Sequence, residues 1–392
     1  MERKRGFLWI RSRKLLAAAI TATVLILTTG CWDRKEVNDL AIATIAGLDR
    51  KDDGEIELSL EIVVPKQEGS KSQMSGKEAR GSSSSLIWSA SGTTAADAVS
   101  KLQRKLPRSI YWGQLQLLVV GESLSRNQLR EQLDYLLRNN NIRLRVQPIV
   151  CKGNVREFLN FATPIEQTKA DYLGGEAERV FPRPITLNLL VQRLGKNSDS
   201  AMLPYFDIAQ DGSSSVPYLK GYAAFARDRM AGVIQGKPFS GAKWLHQQVK
   251  GDVETVKLKE PASSLLSIGI LSSSTRFVPR LKEGAPEMEV GIEAEVSVVQ
   301  NTTRFKTTDP KFIRQVREAA ADDIRRRAEN AIQEAQGMGA DIFGFGEEIN
   351  RRHPKEWRRL EARWERIYPA MPYKVNVKVS VRHIGMYNEP VG

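Results

Sequence analysis

The residue with the clearest chemical potential in this sequence is Cys31, which directly follows a segment typical of an export signal. Six lysines and arginines between residues 3 and 14 precede Leu15–Leu27, an uncharged run of 13 residues. That run is shorter than the roughly 20 residues that a membrane-spanning helix needs. We therefore predict that residues 1–30 are a lipoprotein signal peptide, cleaved between Gly30 and Cys31 after a lipid has been attached to the thiol through a thioether bond.

An uncleaved N-terminal anchor is the alternative, in which Cys31 only ends a hydrophobic helix. Both interpretations place the rest of the chain outside the cytoplasm and tether it to a membrane. Trp32 follows the cysteine, and we expect it either at the membrane interface, where tryptophan is enriched, or packed on the first strand.

The rest of the sequence shows no set of residues with the spacing of a known catalytic or metal site. It contains no GxSxG, HExxH, P-loop, three-glycine dinucleotide or EF-hand motif. Cys151 is the only cysteine besides Cys31, so a lipidated Cys31 leaves no intramolecular disulfide. A nucleophilic Cys151 would need a histidine partner, but His246, His353 and His383 are all remote from it in sequence, which favours a buried, inert thiol. We predict a protein that is not an enzyme and has neither a cofactor nor a metal site.

The composition indicates a folded, basic protein. Hydrophobic residues make up 41% and charged residues 27% of the chain, as in ordinary globular proteins. The formal net charge is +13, of which residues 1–30 contribute +5, six basic residues less Glu2. The remaining surplus of +8 on the mature chain favours approach to an anionic membrane surface. Nucleic acid is the weaker alternative, because no helix-turn-helix, zinc-finger or aromatic RNA-binding motif occurs. We predict no nucleic-acid partner.

The mature chain is longer than one hydrophobic core usually supports, and its patterns divide it into three α+β domains. We predict an N-terminal domain over residues 31–205, a small middle domain over 206–270 and a C-terminal domain over 271–392. Each is expected to be a mostly antiparallel or mixed β-sheet with helices packed on it. Residues 65–85, rich in Lys, Glu, Ser and Gly, predict a mobile loop in the first domain.

The C-terminal domain has the clearest local signals. Asp309 and Pro310 predict the start of a long helix. The last strand alternates, with Val375, Val377, Val379 and Val381 on one face and polar residues on the other.

The polar face of that last strand is a candidate contact surface. Lys374, Lys378 and Arg382 lie on it, and we predict that they and Trp32 contact a partner or the membrane. Phe343–Gly346 is either a tight turn that buries two rings or an exposed contact loop.

Four segments form an ordered pattern along the chain. They are Cys31–Ile42 (CWDRKEVNDLAI), Gly113–Glu122 (GQLQLLVVGE), Asp341–Glu347 (DIFGFGE) and Tyr373–Arg382 followed by Gly385. Together they resemble the C subunits of spore germinant receptors, the GerC-type lipoproteins of the Ger(x)C family. The likeness covers nearly the whole mature chain.

The resemblance implies a function. It implies a non-enzymatic lipoprotein on the outer face of the spore inner membrane, assembled with integral-membrane A and B subunits. Nutrient signals received by that complex would lead to release of ions and dipicolinate from the spore core. A solute-binding lipoprotein that captures a small ligand directly is the alternative, although that class usually has two similar α/β lobes around a cleft.

Overall fold

The computed structural model describes residues 36–63, 85–127, 129–163, 166–181, 184–194, 200–212, 214–258, 264–303 and 309–383. The chain divides into two compact units, Met1–Leu40 and Ala41–Gly392. The predicted signal peptide, with Gly30, and then Cys31, Trp32 and residues 65–84 of the expected loop, lie outside the described residues. Within the described part of the chain, no helix is both long enough and apolar enough to span a membrane.

A nine-stranded mixed sheet occupies the first half of the fold. Its strands are β1 (Leu40–Arg50), β2 (Ile56–Val63), β3 (Ser85–Gly92), β4 (Ser109–Tyr111), β5 (Leu117–Gly121), β6 (Gln147–Cys151), β7 (Ser200–Asp211), β8 (Ser214–Ala226) and β9 (Arg229–Gln235). Their order is β3-β2-β1-β5-β6-β7-β8-β9, and β4 pairs with β1. The central strands β1, β5, β6 and β7 are parallel, and antiparallel strands flank them. The β1–β2 turn contains Gly54 at a φ of 86°, a conformation that glycine adopts without strain.

Helices cover both faces of this first sheet. They are α1 (Ala95–Lys105), α2 (Glu122–Ser125), α3 (Leu129–Arg138), α4 (Val155–Phe158), α5 (Lys169–Val180) and α6 (Leu187–Arg193). The apolar sides of α1, α3 and α6 share one core with Val120, whereas α4 and α5 share another with Val119. These two neighbours belong to different cores because side chains alternate across a strand.

The chain passes through α7 (Lys237–Leu245) into a second, four-stranded sheet. In spatial order its strands are β10 (Val253–Lys257), β11 (Leu265–Lys282), β12 (Ala285–Asn301) and β13 (Tyr373–His383). The long helix α8 (Pro310–Gly337) packs on one face of this sheet. It begins at Asp309, whose side chain accepts a hydrogen bond from the backbone N–H of Lys311, as the sequence predicts.

The predicted alternation of the last strand is confirmed. Val375 and Val379 are buried against the core that contains α8, and Val377 and Val381 are half-buried against it. The intervening residues from Lys374 to Arg382 point to the opposite, open face of the sheet.

Three short helices connect α8 to β13. They are α9 (Phe345–Arg352), α10 (Pro354–Leu360) and α11 (Trp364–Ile367). The rings of Phe343 and Phe345 are both buried. Of the two interpretations of Phe343–Gly346, the tight turn that buries two rings is therefore correct.

The α+β fold with mixed sheets is confirmed, but the three-domain count is not. β7 runs through the predicted boundary at residue 205 and pairs with β6 on one side and β8 on the other. The expected middle domain, 206–270, is thus shared between the two sheets. One hydrophobic core includes residues of both sheets, and α7 crosses α8 so closely that a side chain at Gly241 would meet the backbone of Arg327.

Candidate functional site

The three basic residues predicted as contacts lie together on the open face of the second sheet. Lys374, Lys378 and Arg382 are all exposed on β13, on the side away from α8. Arg382 donates hydrogen bonds from Nε and Nη2 to Oε1 of Glu295 at 2.9 and 2.5 Å. The guanidinium holds the pKa of the Glu295 carboxyl below its ordinary value.

An acidic row on β12 runs beside these basic residues, and sequence reasoning missed it. The parallel register places Glu289 opposite Lys374 and Glu293 opposite Lys378. From the other side, Arg280 of β11 donates to Oε2 of Glu289 at 3.1 and 3.2 Å. Opposite charges on neighbouring strands attract, but exposed pairs add little stability. The open face is therefore a surface of both signs, not a basic one.

An exposed group of apolar side chains lies on the same open face. Val253, Leu265, Leu271 and Val299, here called the apolar patch, expose 60, 49, 37 and 58% of their surface. Val253 pairs with Gly269, and a Cβ at that glycine would lie 3.0 Å from Cγ2 of Val299. Grouped apolar side chains on a sheet face indicate a contact surface. This face therefore combines a charged and an apolar region.

The DIFGFGE segment is held by a buried carboxylate. Asp341 accepts hydrogen bonds from the backbone N–H groups of Phe345 at 2.8 Å and Gly346 at 2.7 Å, and from Nε1 of Trp364 at 3.1 Å. Burial raises the pKa of Asp341 to about 7, although these hydrogen bonds oppose the shift. Gly344 has a φ of 73°, which glycine adopts without strain. The segment is therefore a tight turn whose conformation is fixed by the hydrogen bonds to Asp341.

A cavity of about 370 Å³ lies between this turn and α6. Its wall includes Arg193, His246, Glu347 and Asn350. Within the described residues, Nε2 of His246 is buried without a hydrogen-bond partner. Burial, together with the charge of Arg193, lowers the pKa of His246 to about 4, so the imidazole is neutral at pH 7. The cavity offers groups of both charges to a small polar molecule, whereas the buried Nε2 of His246 is not exposed to it.

The glycine–glutamate turn after β5 closes a second polar cluster. The Asp49 carboxylate occupies the space that a side chain at Gly121 would need. Asp49 accepts a hydrogen bond from the N–H of Val155 at 2.9 Å, which ties β1 to the start of α4. Glu122 accepts a hydrogen bond from the hydroxyl of Tyr205 at 3.0 Å. Burial raises the pKa of Asp49. This cluster joins the carboxyl ends of β1, β5 and β6 and has a structural role.

Cys151 is buried in β6, as predicted. Burial raises the pKa of its thiol well above the ordinary value, and the nearby Asp49 carboxylate raises it further. A thiol that stays protonated is a poor nucleophile. Among the described residues, no group of three or more His, Cys, Asp or Glu side chains is placed to hold a metal ion.

Comparisons with known proteins agree along both halves of the chain. Residues 33–208 match the family described as "Spore germination protein N-terminal domain". Residues 220–385 match the family described as "Spore germination B3/ GerAC like, C-terminal". The two matches meet near the β7–β8 hairpin.

Individual relatives extend this similarity over their full lengths. "Spore germination protein KC" of Bacillus subtilis (strain 168) is 24% identical, with 97% of this chain and 98% of that protein covered. "Putative spore germination protein YfkR" of the same organism is 27% identical, with 93% and 95% covered. The solved structure titled "Crystal Structure of the GerBC protein" has the same fold, with a TM-score of 0.57 over 88% of this chain and 99% of that chain, at 14% identity. The chain belongs to the Ger(x)C family of spore germination proteins.

Proposed function

We propose that this chain is a non-enzymatic lipoprotein subunit of a nutrient germinant receptor and is required for spore germination. In this proposal Cys31 carries the lipid and holds the protein on the outer face of the spore inner membrane. The chain assembles there with integral-membrane A and B subunits. Trp32 and the open face of the second sheet, with Lys374, Lys378 and Arg382, are its candidate contact surfaces.

The observation that carries the proposal is the full-length similarity to spore germination proteins, which includes both halves of the chain. The export signal that ends at Cys31 supports the lipid anchor. A buried, protonated Cys151 and a turn-forming Asp341 support a role without chemistry, because both groups are explained by the fold.

Complementation of spores that lack this chain tests the proposal. Those spores should lose dipicolinate release in response to at least one nutrient, and the wild-type chain should restore it. A Cys31→Ala variant should not restore it, because the unanchored protein leaves the membrane. Cys151→Ala is the matched control and should restore it, since this thiol is buried and unreactive. Full restoration by Cys31→Ala would contradict the anchor.

A second candidate function, direct capture of a small ligand, is favoured by the cavity beside His246. Its wall includes Arg193 and Glu347, which carry opposite charges, and the uncharged Asn350. Thermal unfolding of the purified protein with single amino acids and sugars separates the two candidates. A rise in Tm that Arg193→Ala abolishes would support capture, whereas an unchanged Tm with every nutrient that triggers the spores would exclude it.

A further inference from the structure

The amino ends of the parallel strands form one edge of the first sheet, here called the amino edge. Gln116 donates its backbone N–H to the carbonyl of Thr44, and Gln147 donates to the carbonyl of Gln116, both at 2.9 Å. These bonds define a row across β1, β5 and β6. Ala41, at the start of the second compact unit, and residues 143–145 both precede that row, so both lie at the amino edge. Two strand spacings, about 10 Å, separate β1 from β6.

Residues 143–145 form a projecting turn of sequence Arg-Leu-Arg. Arg143, Leu144 and Arg145 are all exposed, whereas Ile142 and Val146 on either side are buried. Arg143 and Arg145 form no ion pair within the described part of the chain. A basic and apolar turn of this kind suits the interface of an anionic bilayer, where an apolar side chain inserts and guanidinium groups bind phosphate.

The turn is held rigidly by its neighbours. The backbone N–H of Asn188 donates to the carbonyl of Leu144 at 3.1 Å, and that of Leu187 donates to the carbonyl of Val146 at 2.7 Å. Both donors belong to the first residues of α6. The exposed side chains are therefore presented by a fixed backbone, which reduces the entropy lost when they bind.

The Arg143–Arg145 turn also differs in charge from the opposite edge of the sheet. At the carboxyl ends of the parallel strands, charges of both signs surround an open cleft, lined by Asp49, Arg50, Lys51, Asp52, Asp53, Glu122 and Arg126. Four carboxylates there, one of them the buried Asp49, outnumber three basic side chains. The Arg143–Arg145 turn itself carries only basic charge, and Glu178 beside it accepts a hydrogen bond from Nε2 of Gln147 at 3.2 Å.

We infer that the Arg143-Leu144-Arg145 turn docks on the anionic headgroups of the membrane to which the chain is tethered. The inference rests on the proposed lipid anchor at Cys31. Ten residues from Cys31 to Ala41 reach at most about 35 Å, which is close to the length of β1 itself. The carboxyl edge could face the bilayer only if the tether ran back along the whole strand.

Labelling of the full-length lipidated protein tests this inference. A Leu144→Cys variant, labelled with the fluorophore NBD, is reconstituted in vesicles of equal parts phosphatidylcholine and phosphatidylglycerol. Cys151 is buried and Cys31 carries the lipid, so only the new cysteine reacts. We expect a several-fold gain in NBD emission that nitroxide-labelled lipids quench. Tyr218→Cys, at a comparably exposed position of β8 near the carboxyl ends of the parallel strands, is the control and should report water.

Charge-reversal variants of the turn provide a second test. Arg143→Glu with Arg145→Glu should abolish the emission gain at position 144, and Arg358→Glu with Arg359→Glu, an equal change of charge elsewhere, should leave it intact. A water-like signal at position 144 while the protein stays on the vesicles would overturn the inference. Shielding only in spore membranes, and not in vesicles, would also overturn it and assign the turn to a protein partner. Mass spectrometry of Cys31 separately tests the anchor, because an unmodified cysteine would refute the proposed function first.

Discussion

The indole Nε1 of Trp364 donates a hydrogen bond to Oδ2 of Asp341 at 3.1 Å, although 23 positions separate the two residues in the chain. The same oxygen accepts the N–H of Gly346 at 2.7 Å. A Cβ at Gly346 would lie 2.6 Å from the ring of Trp357. The carboxylate and two tryptophans therefore fix the turn that leads into α9, which explains why glycine occupies this position.

Removal of the Asp341 carboxylate should destabilise the protein strongly. Asp341→Ala leaves three buried donors without an acceptor, and we expect the free energy of unfolding to fall by about 2–5 kcal/mol. Urea denaturation measures the loss. The control is Asp309→Ala, which removes only an exposed helix cap and should cost about 1 kcal/mol. Equal losses for the two variants would contradict the role given to Asp341.

The raised pKa of Asp341 predicts a pH dependence of stability. The folded state holds this proton to about pH 7, whereas the unfolded chain releases it near pH 4. Its contribution to stability is thus fully present below about pH 4 and is lost as the pH rises through 7. We expect the wild type to lose stability relative to Asp341→Asn over this range.

The titration of His246 must be removed from that comparison, because it changes the stability with pH in the opposite direction to the titration of Asp341. Its pKa is lowered to about 4, so its contribution is present above about pH 6.5 and is lost as the pH falls. Both proteins should therefore also carry His246→Gln. A stability difference that stays constant from pH 4 to 8 in this background would argue against a buried, protonated Asp341.

Gly121 should be intolerant of even one methyl group. Gly121→Ala displaces the Asp49 carboxylate from the N–H of Val155, and we expect a loss of about 1–3 kcal/mol. Gly174 lies within α5 with open space around it. Gly174→Ala is the matched control and should stabilise the protein by about 0.5–1 kcal/mol. Thermal unfolding of both variants checks the expected difference in sign.

The two faces of β13 should respond differently to charge. Val379 is buried against the core that contains α8, so Val379→Asp should cost about 3 kcal/mol or more. Lys378→Glu places a second carboxylate opposite Glu293 on the exposed face and should cost less than about 1 kcal/mol. Circular dichroism during thermal unfolding separates the two outcomes.

The open face should matter to germination and not to folding. A chain with Lys374→Glu, Lys378→Glu and Arg382→Glu should remain folded and yet impair nutrient-triggered dipicolinate release, because the basic row of the contact surface becomes acidic. Arg358→Glu with Arg359→Glu, exposed on α10, is the control and should germinate normally. Normal germination of the triple variant would remove this face as a partner surface.

Local structure could be predicted from the sequence where one short pattern decides it. The Asp309-Pro310 pair predicts the start of α8, and the valine alternation after Tyr373 predicts the buried face of β13. The apolar run from Tyr111 to Val120 does not show where β4 ends and β5 begins. The N–H of Leu115 bonds to the carbonyl of Trp112, and this turn separates β4 from β5.

Contacts between residues far apart in the chain could not be predicted, because they produce no periodic pattern in the sequence. β7 joins the first sheet through Val150 opposite Tyr205. The acidic row of β12 lies beside Lys374 only because β13 pairs with β12 in parallel after the long helix α8 and three short helices. Asp49 and Val155 are likewise joined by the fold alone. The candidate residues of β13 could therefore be named from the sequence, but the charges that surround them could not.

Purification of the tagged chain from spore inner membranes, followed by mass spectrometry, tests whether it is a lipid-anchored receptor subunit. We expect the A and B subunits to co-purify with the chain in a constant ratio, and its N-terminal peptide to begin at a lipid-modified Cys31. Recovery of the chain without membrane subunits, with an intact peptide across Gly30 and Cys31, would contradict this expectation.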